Sequence, residues 1–287
     1  MLTLLFDGIA YGMLLFVLAV GLAVTLGLMN FINLAHGAFA MAGGYITVLL
    51  MNQFGVPFLV CLPLAFLGTA LLGAVLEPLL YRRMYGKPHL DQVLFSIGLV
   101  FMAVAAIDYF IGSTQQNIHL PHWLEGRFDI SWIGVGKYRL FIIVVCAALT
   151  VGLQWMLSNT RFGSQLRASV DDPRVAGGLG LNVNRIFLLT FAVGSGLAGL
   201  GGALGTEILG LDPSFPLKFM IYFLIVVSVG GTTTLTGPLL AALLLGIADV
   251  AGKYYVPKLG AFIVYTLMIV ILLVRPQGLF ARAGGGK

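Results

Sequence analysis

Charged side chains are scarce in this sequence: Asp, Glu, Lys and Arg together make up 9% of 287 residues, where soluble domains carry roughly a quarter. A water-soluble fold of this length would have too few ions to cover its surface, so the soluble classes are excluded. Cysteine is nearly absent as well. Cys61 and Cys146 lie inside apolar runs without a His or second Cys at ligand spacing, which excludes a disulfide framework or a zinc site and leaves two small buried hydrophobes. No GxxxxGK[ST] phosphate loop occurs, so ATP has no sequence of that kind to bind on this chain. Met1 leads straight into a hydrophobic stretch without a basic start or a small-residue cleavage site, and that first stretch is expected to be retained.

Hydrocarbon takes the place of charge. Hydrophobic residues make up 59% of the chain, and the mean hydropathy is +1.01. A helical crossing needs about 20 apolar residues, which marks spans at 4–28, 58–80, 93–111, 140–156 and 186–209. Shorter apolar stretches at 37–51, 219–229, 239–250 and 261–274 read as short or broken helices, the places where transporters tend to put midplane sites. The expected fold class is an all-α polytopic membrane protein with about eight to ten transmembrane helices, short or broken ones included. No linker divides the chain, so residues 1–287 form a single membrane domain.

The net charge of +5 follows topology rather than nucleic acid binding. Arg82, Arg83 and Lys87 follow one span, Arg161, Arg167, Arg174 and Arg185 another, and Arg275 and Arg282 close the chain; Lys and Arg next to spans stay on the cytoplasmic side. The segment 112–137, with His119, His122, Trp123 and Trp132, falls between the first two clusters and belongs outside. After residue 209 the chain is outside and must return by Arg275, through three short spans or through a re-entrant pair and one crossing. The side of Met1 depends on whether 37–51 crosses fully.

One long polar segment, 159–186, interrupts the hydrocarbon. It reads as two short helices. Ser164 caps the first, with Leu166 and Val170 on one face beside Arg167; Asp172 caps the second, Pro173 takes its first position and Gly180 ends it after Val175 and Leu179, beside Arg174. Such a segment is either a handle for a soluble partner or an ordinary capped loop.

Two shorter breaks carry polar groups into apolar surroundings. Asn30, Asn33 and His36 precede the pair Gly43 and Gly44. Buried amides and imidazoles cost a few kcal/mol each, roughly, unless paired, so these groups either satisfy the backbone of a broken helix or line a path that offers hydrogen bonds to a zwitterion. Thr232 and Thr233 lie in GGTTTLTGP, 230–238, where freed amides at a helix start would favour a carboxylate and small residues would favour close helix packing. The formal GxGxxG at 194–199 sits inside a span without a preceding strand and reads as helix packing. Asp7, Glu77, Asp108, Glu207 and Asp249 all fall near predicted span ends, which favours interfacial placement over an ion relay. An intramembrane enzyme lacks support, because no metal-ligand cluster or nucleophile and base pair stands at a useful spacing.

Thr160, Arg161, Gly163, Arg167, Ala168, Asp172, Pro173, Ala176 and Gly180 occur in order with GLMNFINLAHGAFAMAGGY (27–45), GGTTTLTGP (230–238) and RPQGLF (275–280). This set resembles the permeases of branched-chain amino acid ABC importers across nearly the whole chain. It looks most like the shorter of the two paralogous subunits, the high-affinity leucine, isoleucine and valine type. Arg82-Arg83-Met84 replaces the family's common Arg-Pro pair, and three threonines follow the second glycine pair. The resemblance implies an ABC importer permease fold and a coupling role for Arg161, Gly163, Arg167, Asp172, Pro173, Val175, Leu179 and Gly180. It implies a paralogous permease partner, two ATPase subunits that bind ATP and Mg, and a periplasmic substrate-binding protein, in a bacterial inner membrane. No cofactor or metal is expected on this chain. Branched-chain or related amino acids are the first substrate expectation, with urea, amides or small carboxylates as alternatives, and an ion-coupled secondary transporter as the alternative from another class.

Overall fold

The computed structural model describes residues 1–29, 31–130, 133–231, 234–275 and 278–279. Its helices are α1 (Leu2–Met29), α2 (His36–Phe54), α3 (Phe58–Leu79), α4 (His89–Phe110), α5 (Lys137–Asn159), α6 (Arg161–Asp171), α7 (Pro173–Gly178), α8 (Val183–Leu209), α9 (Phe215–Gly230), α10 (Thr236–Tyr255) and α11 (Gly260–Val274). A short antiparallel hairpin, β1 (Arg127–Ile130) and β2 (Ile133–Gly136), pairs Arg127 with Gly136 and Phe128 with Val135 in the outer segment. The all-α class holds, and this hairpin is the part of it that apolar patterning did not reveal.

Local chemistry ends the helices where it should. Gly55 stops α2 in the left-handed region at φ 63°, where its N–H bonds back to Met51, and Pro57 then starts α3. Pro88 precedes α4 and Gly136 precedes α5.

Side-chain contacts sort the helix ends into two sides. At one side the Asp7 carboxylate pairs with Arg139, the Asn52 amide donates to Asn117 O at 3.5 Å, Gln116 N donates to Leu211 O at 2.7 Å, and the Tyr255 hydroxyl lies 3.0 Å from the Met1 sulfur. At the other, Ile32 N donates to Gln92 Oε1 at 3.0 Å and Leu279 N to Val229 O at 2.8 Å. Arg82, Arg83, Lys87, Arg161, Arg167, Arg174 and Arg185 all fall on this second side, which is therefore cytoplasmic. Met1 lies outside, α2 crosses fully, and α9, α10 and α11 each cross, so the return path is three spans and no re-entrant pair. With α1, α3, α4, α5 and α8 the described residues make nine crossings. At about 1.5 Å per residue, the 16 residues of α9 and 15 of α11 stand short of a hydrocarbon core of about 30 Å.

The centre of the fold is α1, whose span is 83% buried against 11% for α4. It touches α2, α5, α8, α9 and α10. Glycines explain how so many helices reach one axis. A Cβ on Gly12 would sit 2.7 Å from Ala242 O, and one on Gly246 would run into the backbone of Gly12; Gly43 faces Gly199, Gly202 faces Ala40 and Gly21 faces Gly194, all backbone to backbone. The GxGxxG run is thus part of a helix-packing face, as expected for small residues in lipid. Gly152, on the outward side of α5, is different: a methyl group added there would meet nothing within 4 Å.

Gly202→Val is therefore expected to lose about 1–3 kcal/mol or more through overpacking, and Gly152→Val to be neutral. Thermal unfolding of the two purified variants, followed by size-exclusion fluorescence, checks this; equal melting would contradict the packing account.

Candidate functional site

The cytoplasmic corner is built by α5, α6 and α7. Thr160, rather than Ser164, caps α6: its hydroxyl accepts from Gly163 N at 3.3 Å and donates to Met156 O at 2.5 Å. Ser164 instead bonds back to Arg161 O at 2.9 Å. Gly163 has no room for a Cβ because Leu157 lies against it, and the Arg167 guanidinium donates to Leu157 O, so α6 is clasped to the end of α5. Leu166 and Ser169 are buried, which makes α6 part of the membrane domain.

The second helix faces the other way. Asp172 Oδ1 accepts from Arg174 N at 2.9 Å and Val175 N at 3.0 Å, Pro173 takes the first position, and Gly180 follows the last turn at φ 88°. Ala176 alone turns inward, while Val175 is 58% and Leu179 79% exposed, with Arg174 and Arg161 exposed beside them. Of the expected coupling set, Gly163 and Arg167 clasp α6 to the end of α5. Asp172, Pro173 and Gly180 shape α7, and Val175 and Leu179 form its outward apolar tip.

The GGTTT break sits directly behind this corner. A cavity of about 210 Å³ is lined by Val24 of α1, Leu157 of α5, Gly163 and Arg167 of α6, and Thr234 and Leu235. Thr232 and Thr233 lie outside the described residues, as does Asn30. Thr234 Oγ1 accepts from Gly237 N at 3.4 Å, and Gly230 abuts Pro238 too closely for any side chain.

The described members of the first break are buried between helices. His36 is buried and donates through Nε2 to Leu18 O at 2.8 Å, with its ring edge toward Phe223 at 6.2 Å between centroids. Gly43 meets Gly199 of α8, and Gly44 meets Leu211 in the loop after α8. Asn33 is buried, and its Oδ1 has no partner among the described residues. None of these four borders the inner cavity or the outer ones described next.

Two adjoining outer cavities, about 510 and 360 Å³, share Asp7, Arg139 and Ile208. Glu207 and Arg127 stand in the larger, and Tyr11, Tyr222, Asp249 and Lys253 in the smaller. Three ion pairs mark this region: Asp7 with Arg139, Asp212 with Lys218, and Asp249 with Lys253 at 2.5 Å. Burial alone would raise the Asp212 carboxyl, but hydrogen bonds from Lys218 and Ser214 outweigh it and hold the pKa below the usual value. The i, i+4 spacing of Asp249 and Lys253 was the one readable signal of this chamber. Glu77, the acid at the inner end of α3, is fully buried by protein and takes both of its bonds from Arg82, at 3.2 and 2.7 Å.

A family model described as branched-chain amino acid transport system, permease component, matches residues 4–272. The chain belongs to this family. It is a multi-pass membrane transport subunit rather than an enzyme. It is 26% identical to the high-affinity branched-chain amino acid transport system permease protein BraD of Pseudomonas aeruginosa, covering 97% of this chain and 95% of that one. It is 28% identical to the probable branched-chain amino acid transport permease protein LivH of Methanocaldococcus jannaschii over 94% and 90%. The permease protein LivM of Salmonella typhimurium is also similar, at 28% identity over 93% of this chain and 68% of the relative. No solved structure matches.

Leu166→Asp is expected to abolish folded protein, since it buries an unpaired carboxylate at a cost of several kcal/mol, roughly, whereas Leu179→Asp leaves yield and melting unchanged. Fluorescence-detected size exclusion of both variants checks the inward and outward assignment of α6 and α7.

Proposed function

We propose that this chain is the shorter permease subunit of an ATP-driven importer for branched-chain or related amino acids. It pairs with a paralogous permease in a bacterial inner membrane, receives substrate from a periplasmic binding protein, and is driven by two ATPase subunits that bind ATP and Mg. The observation that carries this reading is the match along residues 4–272, and the similarity to both LivH-type and LivM-type proteins supports a paralogous partner. The exposed α7 tip supports the coupling role: its apolar pair and neighbouring cations suit a cleft on a soluble ATPase. The clasp of α6 on Leu157 gives a stiff lever, because a push on α7 reaches α5 and the GGTTT break without a flexible joint.

Ion coupling has less support. The buried acids Glu77 and Asp249 are neutralised by Arg82 and Lys253, and a relay needs a carboxylate free to gain and lose a proton.

Reconstitution of the assembled importer in liposomes tests the reading. Leucine uptake is expected to require ATP inside and the binding protein outside, and to survive collapse of proton and sodium gradients. Replacing both Val175 and Leu179 with Asp should lower uptake by at least about tenfold, the scale of losing an apolar anchor of some 1.4 kcal/mol or more. Uptake that needs no ATP, or that is untouched by the double variant, would contradict it.

A further inference from the structure

The smaller outer cavity, about 360 Å³, has the size of a small-molecule site, about 300–1,000 Å³, and an unusual division of mobility. Its anion is fixed. Asp249 is 2% exposed, and its carboxylate is held by Lys253 at 2.5 Å and by the Tyr222 hydroxyl at 3.4 Å. One turn earlier on α10, Gly246 packs directly on the α1 backbone at Gly12, with no room for a side chain between them. Its cations are loose by comparison, with side chains of Lys253 57% and Arg139 42% exposed. Phe219, Tyr222 and Val250 supply apolar wall between them.

We infer that this chamber binds the head group of an α-amino acid. The ammonium of the ligand takes over the place of the Lys253 ammonium at Asp249, the guanidinium fork of Arg139 donates to the carboxylate, and the side chain rests on Phe219, Tyr222 and Val250. Lys253 moves into water, where its exposure already puts most of it. A zwitterion brings one charge of each sign: Asp249 gains the ammonium, Arg139 gains the carboxylate beside Asp7, and only Lys253 exchanges its partner for water. An amine or a carboxylic acid alone would leave one group unmatched, and an unmatched ion at a partly buried site is costly. This site rests on the amino-acid reading above and adds to it a location and an orientation.

The test is equilibrium binding of radiolabelled leucine to the purified full permease and ATPase complex without the binding protein. Leucine is expected to bind, and leucinamide and isocaproate, which lack the carboxylate and the ammonium respectively, to compete at least about tenfold more weakly. Asp249→Asn should weaken leucine by at least about tenfold, while Lys253→Gln, which removes the internal competitor, should tighten it. A purely structural ion pair would not give these opposite signs. Co-elution with the partner subunits reports folding; if Asp249→Asn does not assemble, the half-exposed Lys253→Gln decides, and binding that is unchanged or weaker overturns the site. Competition by either analogue as strong as that of leucine itself, or an Asp249→Asn complex that binds like the wild type, also overturns it. A wild-type complex that imports leucine in liposomes yet binds none here overturns this site and leaves the importer reading intact. One that imports no branched-chain amino acid overturns the substrate reading as well.

Discussion

Backbone-to-backbone contact through glycine is the constraint on which the rest of this structure depends. In lipid, apolar side chains gain little by leaving their surroundings, so helices associate through close fit rather than through a hydrophobic drive. Gly12 and Gly246 join α1 to α10, Gly21 and Gly194 join α1 to α8, and Gly43 and Gly199 join α2 to α8. These contacts leave α1 buried on all sides. They also fix the depth of each helix, since a methyl group at Gly12, Gly21, Gly43 or Gly246 would run into the facing backbone. The positions of His36, Asp249 and Thr234 follow from that locking.

The two ends of the bundle use polar groups differently. At the inner end, hydrogen bonds serve rigidity. Gln92 holds Ile32 N and Lys87 O together, Arg167 closes α6 onto Leu157, and Arg82 takes both oxygens of Glu77. There α7, short and capped, leaves the apolar tip of Val175 and Leu179 uncovered. At the outer end, ion pairs line open chambers instead of sealing them, and their cations reach water. This asymmetry suits the proposed roles, a lever at the ATPase end and an amino-acid site at the outer end.

Much of this was legible in the residues, for physical reasons. Long apolar runs specify spans because a bilayer tolerates little else, and basic clusters specify sides. The caps of α7 were readable because Asp172, Pro173 and Gly180 each have one strong local preference. The cap of α6 went to Thr160 rather than Ser164, because Gly163 lets the chain turn tightly onto Leu157, a tertiary contact that no local pattern reports. Short stretches around α2, α9 and α11 fell below the length ruler, yet their two ends make contacts on opposite sides of the bundle. The pair Gly43 and Gly44 read two ways in sequence, because glycine serves both close packing and a broken helix, and their neighbours Gly199 and Leu211 become visible only in the fold. The outer chamber was least visible, because Asp7 and Arg139 stand far apart along the chain and meet only after α1 and α5 are folded side by side.

The most direct measurement is site-specific crosslinking from α7. In the assembled importer with Leu179→Cys, a short bifunctional reagent carrying a thiol-reactive end is predicted to join this chain to an ATPase subunit, with no such product from Tyr255→Cys at the outer surface; the native Cys61 and Cys146 are buried and leave the background low. Absence of an ATPase adduct at Leu179, in a complex that still transports, would contradict the account.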